Sequence, residues 1–126
     1  MLGFSLYPHH LNNSSSCTIE DFCKMIAKTV ELMGIDHVGF GSDLCQDQPH
    51  SVVEWMRVGK WTKEIDYGEG SASNPGFPDM PPWFRDNRDW HNILSGLKTI
   101  GFNEQEINKI KGENWFNFFK KSFSTV

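Results

Sequence analysis

Cysteine is scarce in this 126-residue chain, and what little there is excludes more than it supplies. Cys17, Cys23 and Cys45 are odd in number and show no CxxC spacing, which rules against a disulfide framework and against a four-cysteine zinc site. Long apolar runs are missing too. No stretch approaches the roughly 20 residues that cross a bilayer, and no charged segment followed by an apolar one opens the chain. The expectation is a soluble product without an export signal, cytoplasmic if expressed as written. Basic blocks are also absent. The formal charge is −4, with acidic and basic residues mixed along the chain, so no face is available to neutralise phosphates and nucleic acid is not an expected partner.

Aromatic residues, in contrast, are plentiful. Ten Phe and five Trp crowd towards the second half and must be buried in this chain's core or against something else. The organising stretch is Gly34-Ile35-Asp36-His37-Val38-Gly39-Phe40-Gly41-Ser42-Asp43. It is apolar, β-branched and too short for a helix, so it reads as a buried parallel strand ending on glycine, serine and a carboxylate. In parallel α/β folds the carboxyl ends of strands carry the chemistry, which makes Asp43 the first candidate. The plainer alternative is that Asp43 only caps a loop.

Met1 to Pro8 is extended in character, and Pro8 stops it, so a first strand should end near Tyr7. His9 and His10 follow in a polar loop, where plain surface histidines outnumber metal ligands. Thr18 and Asp21 have capping-box spacing, and Ile19, Phe22, Cys23, Ile26, Ala27, Val30 and Met33 recur at helical steps. Cys23 belongs to that apolar face. Gly34 fits the position just past the last turn. Residues 1–43 therefore read as a βαβ unit with parallel strands and a right-handed crossover, placing Tyr7 and Asp43 on one edge of the sheet.

Residues 44–86 hold no period. They are rich in Gly, Pro, Asp and Ser, with one short helix expected from Ser51 to Val58. Trp55, Trp61, Tyr67, Phe77, Trp83 and Phe84 argue for order, and a loop this long directly after Asp43 suits a lid or wall on the active-site side. A packed surface excursion is the alternative. Residues 87–126 read as closing helices. One runs from Asn87 to Ile100, with Trp90, Ile93, Leu94, Leu97 and Ile100 on one face and Gly101 ending it. A second is capped by Asn103 with Glu106 and breaks near Gly112. A last helix from Glu113 carries Trp115, Phe116, Phe118 and Phe119, an aromatic stripe expected to be core. His37 and His91 fall on regular elements and read as structural.

The stretch from Gly34 to Asp43 resembles the last barrel strand of the membrane (renal) dipeptidase family of zinc peptidases. The run from Phe102 to Trp115, an acidic helix followed by Gly112-Glu113-Asn114, is similar to that family's closing segment, and Tyr7-Pro8 to the end of its preceding strand. The resemblance implies the C-terminal part of a (β/α)8 TIM barrel, its last two parallel strands with their helices, in a metal-dependent hydrolase. It further implies dipeptide hydrolysis with two zinc ions, Asp43 as the catalytic carboxylate, and Tyr7 and His10 lining the substrate pocket. The family's zinc ligands have no counterparts in this chain. After Ser42-Asp43 the family continues Phe-Asp-Gly, whereas this chain continues Leu44-Cys45-Gln46, which leaves substrate preference open.

The expected function is thus a metallodipeptidase active only in an intact barrel. Its partners would be a dipeptide and either the missing N-terminal barrel portion or a second copy, and the piece alone would be prone to aggregate through open strand edges. The competing readings are a non-catalytic truncated barrel segment that binds another protein, and a small stand-alone α/β binding protein.

Overall fold

β1 (Leu2–Ser5) and β2 (Val38–Gly41) lie side by side and parallel in the computed structural model, which describes residues 1–44, 48–49, 51–52 and 78–124. Leu2 stands opposite Val38 and Ser5 opposite Gly41. Because side chains alternate along a strand, this register gives the sheet two unlike faces. Leu2, Phe4, Val38 and Phe40 share one; Gly3, Ser5, Gly39 and Gly41 share the other.

Apart from Leu2, which is exposed, the large-residue face is covered by helices. α1 (Ile19–Met33) begins at Thr18, whose Oγ1 accepts from the Asp21 N–H at 3.1 Å while its own hydroxyl donates to the Asp21 carboxylate at 2.7 Å. Phe22, Cys23 and Ile26 are fully buried, and Phe22 meets Phe4 edge-on at 6.1 Å. Gly34 ends the helix at φ 84°, a conformation that favours glycine. The second strand is shorter than the sequence suggests. Ile35–His37 forms a single 3₁₀ turn, because Asn114 Nδ2 donates to the carbonyls of Ile35 (2.7 Å) and Val38 (2.8 Å) and Lys109 pairs with Asp36 at 2.7 Å. His37 is therefore exposed on that turn.

A 3₁₀ turn, Asn87–Asp89, leads into α2 (Trp90–Thr99), so the expected Asn87 helix begins as a tighter turn capped by the Asp86 carboxylate. Ile93 and Leu97 are fully buried, and a methyl added at Gly96 would lie 2.8 Å from Cys23 Sγ. That glycine lets α1 and α2 approach. Trp90 stacks on Phe40 at 4.8 Å and meets the buried Phe84 edge-on at 4.9 Å. α3 (Glu104–Asn108) carries the complete Asn103/Glu106 capping box, and one π turn, Lys109–Glu113, passes into α4 (Asn114–Phe123).

The aromatic stripe on α4 is not core. Trp115 alone turns onto the sheet, with its indole over the glycine face at Gly3 and Gly39. Phe116 (67% exposed), Phe118, Phe119 and Phe123 (78%) are exposed. Helical spacing is satisfied, but no described element covers the rings, which stack along the helix instead, Trp115 on Phe119 at 5.8 Å and Phe119 on Phe123 at 6.0 Å. Met33, expected on the buried face of α1, is also exposed.

The end of the 44–86 stretch is ordered: Trp83 donates its indole N–H to the Cys17 carbonyl at 2.7 Å, and Phe84 is fully buried. Of the Ser51–Val58 helix, Ser51 and Val52 are helical and the remainder lies outside the described residues. Cys45, His50, Trp55, Trp61, Tyr67 and Phe77 lie outside them as well. No helix among the described residues is long and apolar enough to cross a membrane.

Candidate functional site at the carboxyl edge of the strands

Both strands finish on the small-residue face. Strand pairing persists one residue beyond β1, where the Leu6 N–H donates to the Gly41 carbonyl at 3.2 Å. The chain then leaves β2 through Ser42, and Asp43 takes φ 50°. Left-handed backbone is uncommon outside glycine, and aspartate is among the residues that tolerate it. The turn leaves the Asp43 carboxylate exposed at the sheet edge, where Ser5 Oγ donates to its Oδ2 at 3.0 Å.

Ser5 has a second bond. The Tyr7 backbone N–H donates to the same Oγ at 3.0 Å. A serine hydroxyl has one proton and two lone pairs. With the Tyr7 amide occupying a lone pair, the proton is directed to Asp43, so the ends of the two strands are joined through one side chain. Tyr7 and Asp43 thus share an edge, as the βαβ reading requires, and Ser5 links them.

The Tyr7 ring is half-buried and meets the rings of His9 (5.5 Å) and His10 (5.2 Å) edge-on. Its hydroxyl is buried and has no hydrogen-bond partner among the described residues. Pro8–His10 forms a 3₁₀ turn on which both histidines are exposed, so His10 joins the group through the Tyr7 ring rather than through the carboxylate. Below Asp43 the face is open, since an added methyl at Gly41 would find nothing within 4 Å. A cavity of about 350 Å³ lined by Phe40, Trp90, Leu94 and Lys111 lies on the opposite, large-residue side of the sheet.

The missed residue is Ser5. Its signal was available in the alternation, which sets Ser5 on the same strand face as Tyr7, but a serine inside an apolar strand carries no chemistry until its partner is known. Among the described residues no three His, Cys, Asp or Glu side chains converge to hold a metal, and Asp43 has Ser5 as its hydrogen-bond donor.

No family model matches the chain, and no curated protein does. Among solved structures, an amidohydrolase from Pseudomonas aeruginosa matches with a TM-score of 0.81 and 24% sequence identity, over 98% of this chain and 36% of that one. The likeness is one of fold. The chain spans about a third of that protein's length, as a two-stranded parallel α/β segment with its helices.

Proposed function

We propose that this chain is the C-terminal, Asp43-bearing segment of a (β/α)8 barrel hydrolase that cleaves the amide bond of dipeptides, in the manner of the zinc dipeptidases. The observation that carries the reading is the Ser5–Asp43 pair beside Tyr7 at the carboxyl edge of two parallel strands, the end of such a sheet at which barrel enzymes do their chemistry. The fold likeness to about a third of an amidohydrolase supports the segment reading.

In this reading the exposed Asp43 carboxylate takes a proton from the attacking water and returns it to the departing amine. Ser5 holds the carboxylate in place. The Tyr7 ring lines the pocket beside Asp43, and His10 flanks the rim. The two zinc ions of such an enzyme would be held by ligands outside these residues and would activate the water and polarise the amide carbonyl.

The test is zinc content and hydrolysis of a dipeptide panel, measured on the 126-residue chain and on the full product of its reading frame, each beside Asp43→Asn. Activity should reside in the zinc-loaded product and fall by about 10²–10⁴-fold in the variant, the usual contribution of a positioned proton-transfer group. A zinc-loaded, active product indifferent to Asp43→Asn overturns the reading. The exposed phenylalanine face of α4 favours the second reading, a non-catalytic segment that binds another protein. Capture of a defined partner lost on substituting those rings, with no hydrolysis in any product, would favour it.

A further inference from the structure

We infer that Ser5 is a positioning residue for Asp43, setting which carboxylate oxygen is free to exchange a proton; this rests on the proposed hydrolase reading. Asp43 stands at φ 50°, one of three non-glycine residues with positive φ among those described. An exposed aspartate in a turn has several rotamers open to it, and nothing in the strand itself selects one. Ser5 makes the selection.

The selection is directional because Ser5 is itself held. Its Oγ accepts from the Tyr7 N–H at 3.0 Å, and its hydroxyl donates to Asp43 Oδ2 at 3.0 Å. A donor to one carboxylate oxygen lowers that oxygen's availability as a proton acceptor and leaves Oδ1 as the working atom. The donor is rigidly mounted, since Ser5 is the last residue of β1 and pairs with Gly41 two residues before Asp43. The same strand end also sets the start of the Tyr7 segment, so the carboxylate and the phenol ring are referred to a common point. Gly41 stands on the same face as Ser5 with open space around it, since an added methyl there would find nothing within 4 Å.

Two alternatives fit the geometry less well. A purely structural hydrogen bond needs no second donor on Ser5, and an exposed pair contributes little to stability. A nucleophilic role for Ser5 would need a base able to remove its proton, and a carboxylate accepting that hydrogen bond is weaker for the task than the histidine that usually serves.

The experiment compares Ser5→Ala and Ser5→Thr with the parent and with Asp43→Asn. In the 126-residue chain, NMR at neutral pH reads the Asp43 carboxyl ¹³C shift and the exchange of the Tyr7 amide. Ser5→Ala should move the first and accelerate the second, and Ser5→Thr, which keeps the hydroxyl, should restore both. In the zinc-loaded active product, Ser5→Ala should lower kcat by up to about 100-fold with KM nearly unchanged, as expected when a reacting group is slightly misplaced. Ser5→Thr should recover most of that loss. An Asp43 carboxyl shift indifferent to Ser5→Ala overturns the inference, whatever the activity. So does a Ser5→Ala product that retains kcat within twofold while Asp43→Asn is inactive, and in that case the hydrolase reading survives. If no product hydrolyses dipeptides but the NMR shifts follow Ser5, it is the hydrolase reading that fails, leaving a held carboxylate of other use.

Discussion

Burial pushes the Cys23 thiol up to about 12, and the nearby Cys17 thiol adds to the shift; Cys17 is itself raised, first by burial and then by the charge of Asp21. Both side chains stay protonated at neutral pH, and thiolate is the reactive form. Iodoacetamide at pH 8 should therefore leave Cys17 and Cys23 unlabelled in the folded chain and label them on unfolding. Prompt labelling, read by mass mapping, would show that the α1 face opens at Cys23 or that the turn before α1 opens at Cys17. Each raised thiol contributes stability in full below the ordinary value of 9.0, and Cys23's contribution is lost as the pH climbs from there towards 12. At the acid end, hydrogen bonds from Arg88 hold Asp86 down to about 2, so its contribution is present above the usual carboxylate range and lost only as the pH falls towards 2. The position of Asp43 just past the end of β2 was legible from the apolar run before it. Ser5 was not, because its role depends on a partner 38 residues away, which no local pattern reports.

The contrast between the two sheet faces makes a test at the level of elements. A methyl on Gly39 would stand 2.5 Å from the Trp115 indole nitrogen, and one on Gly3 2.7 Å from its ring. Overpacking of this kind costs about 1–3 kcal/mol. Gly39→Ala should lower the urea midpoint accordingly, and pairing it with Trp115→Leu should recover part of the loss. Gly41→Ala is the control. With open space around it and no positive φ, it should change stability by under about 0.5 kcal/mol. Equal effects at Gly39 and Gly41 would mean that Trp115 does not lie over the sheet. Asn114 belongs to the same junction, since it is buried and donates to two carbonyls beside β2. Asn114→Ala should cost about 1–3 kcal/mol through the groups left unpaired. Elements with their own local stop signals were readable in advance: α1 from Thr18 and Gly34, α3 from Asn103 and Glu106. The shortening of β2 to Val38–Gly41 was not, because Asn114 and Lys109 hold Ile35–His37 as a turn from the far end of the chain.

At the scale of the whole molecule, the outer face of α4 is the feature the sequence misjudged. Phe116, Phe119 and Phe123 follow steps of three and four residues, which is the pattern of a buried helix face, and all three are exposed. Periodicity reports that a face seeks cover; it does not report what provides it. Leu32 and Met33 at the end of α1 add to the exposed apolar surface, and each strand of the two-stranded sheet has an edge with no ladder partner among the described residues. Surface of this kind on a chain that spans 36% of the amidohydrolase it matches should drive association in water. The purified chain is expected to elute above its 14.5 kDa monomer mass in size exclusion with light scattering, and to bind a hydrophobic dye. Replacing Phe116 with Glu and Phe123 with Lys should shift it towards monomer while leaving α1, α2 and the Ser5–Asp43 pair intact, since neither ring is in the packed core. If the double variant associates as strongly as the parent, the open strand edges are responsible, and a lysine on the solvent side of β1 should then separate the copies. If the parent is a dye-silent monomer, the α4 rings are covered within the chain itself and the face is not open to a partner.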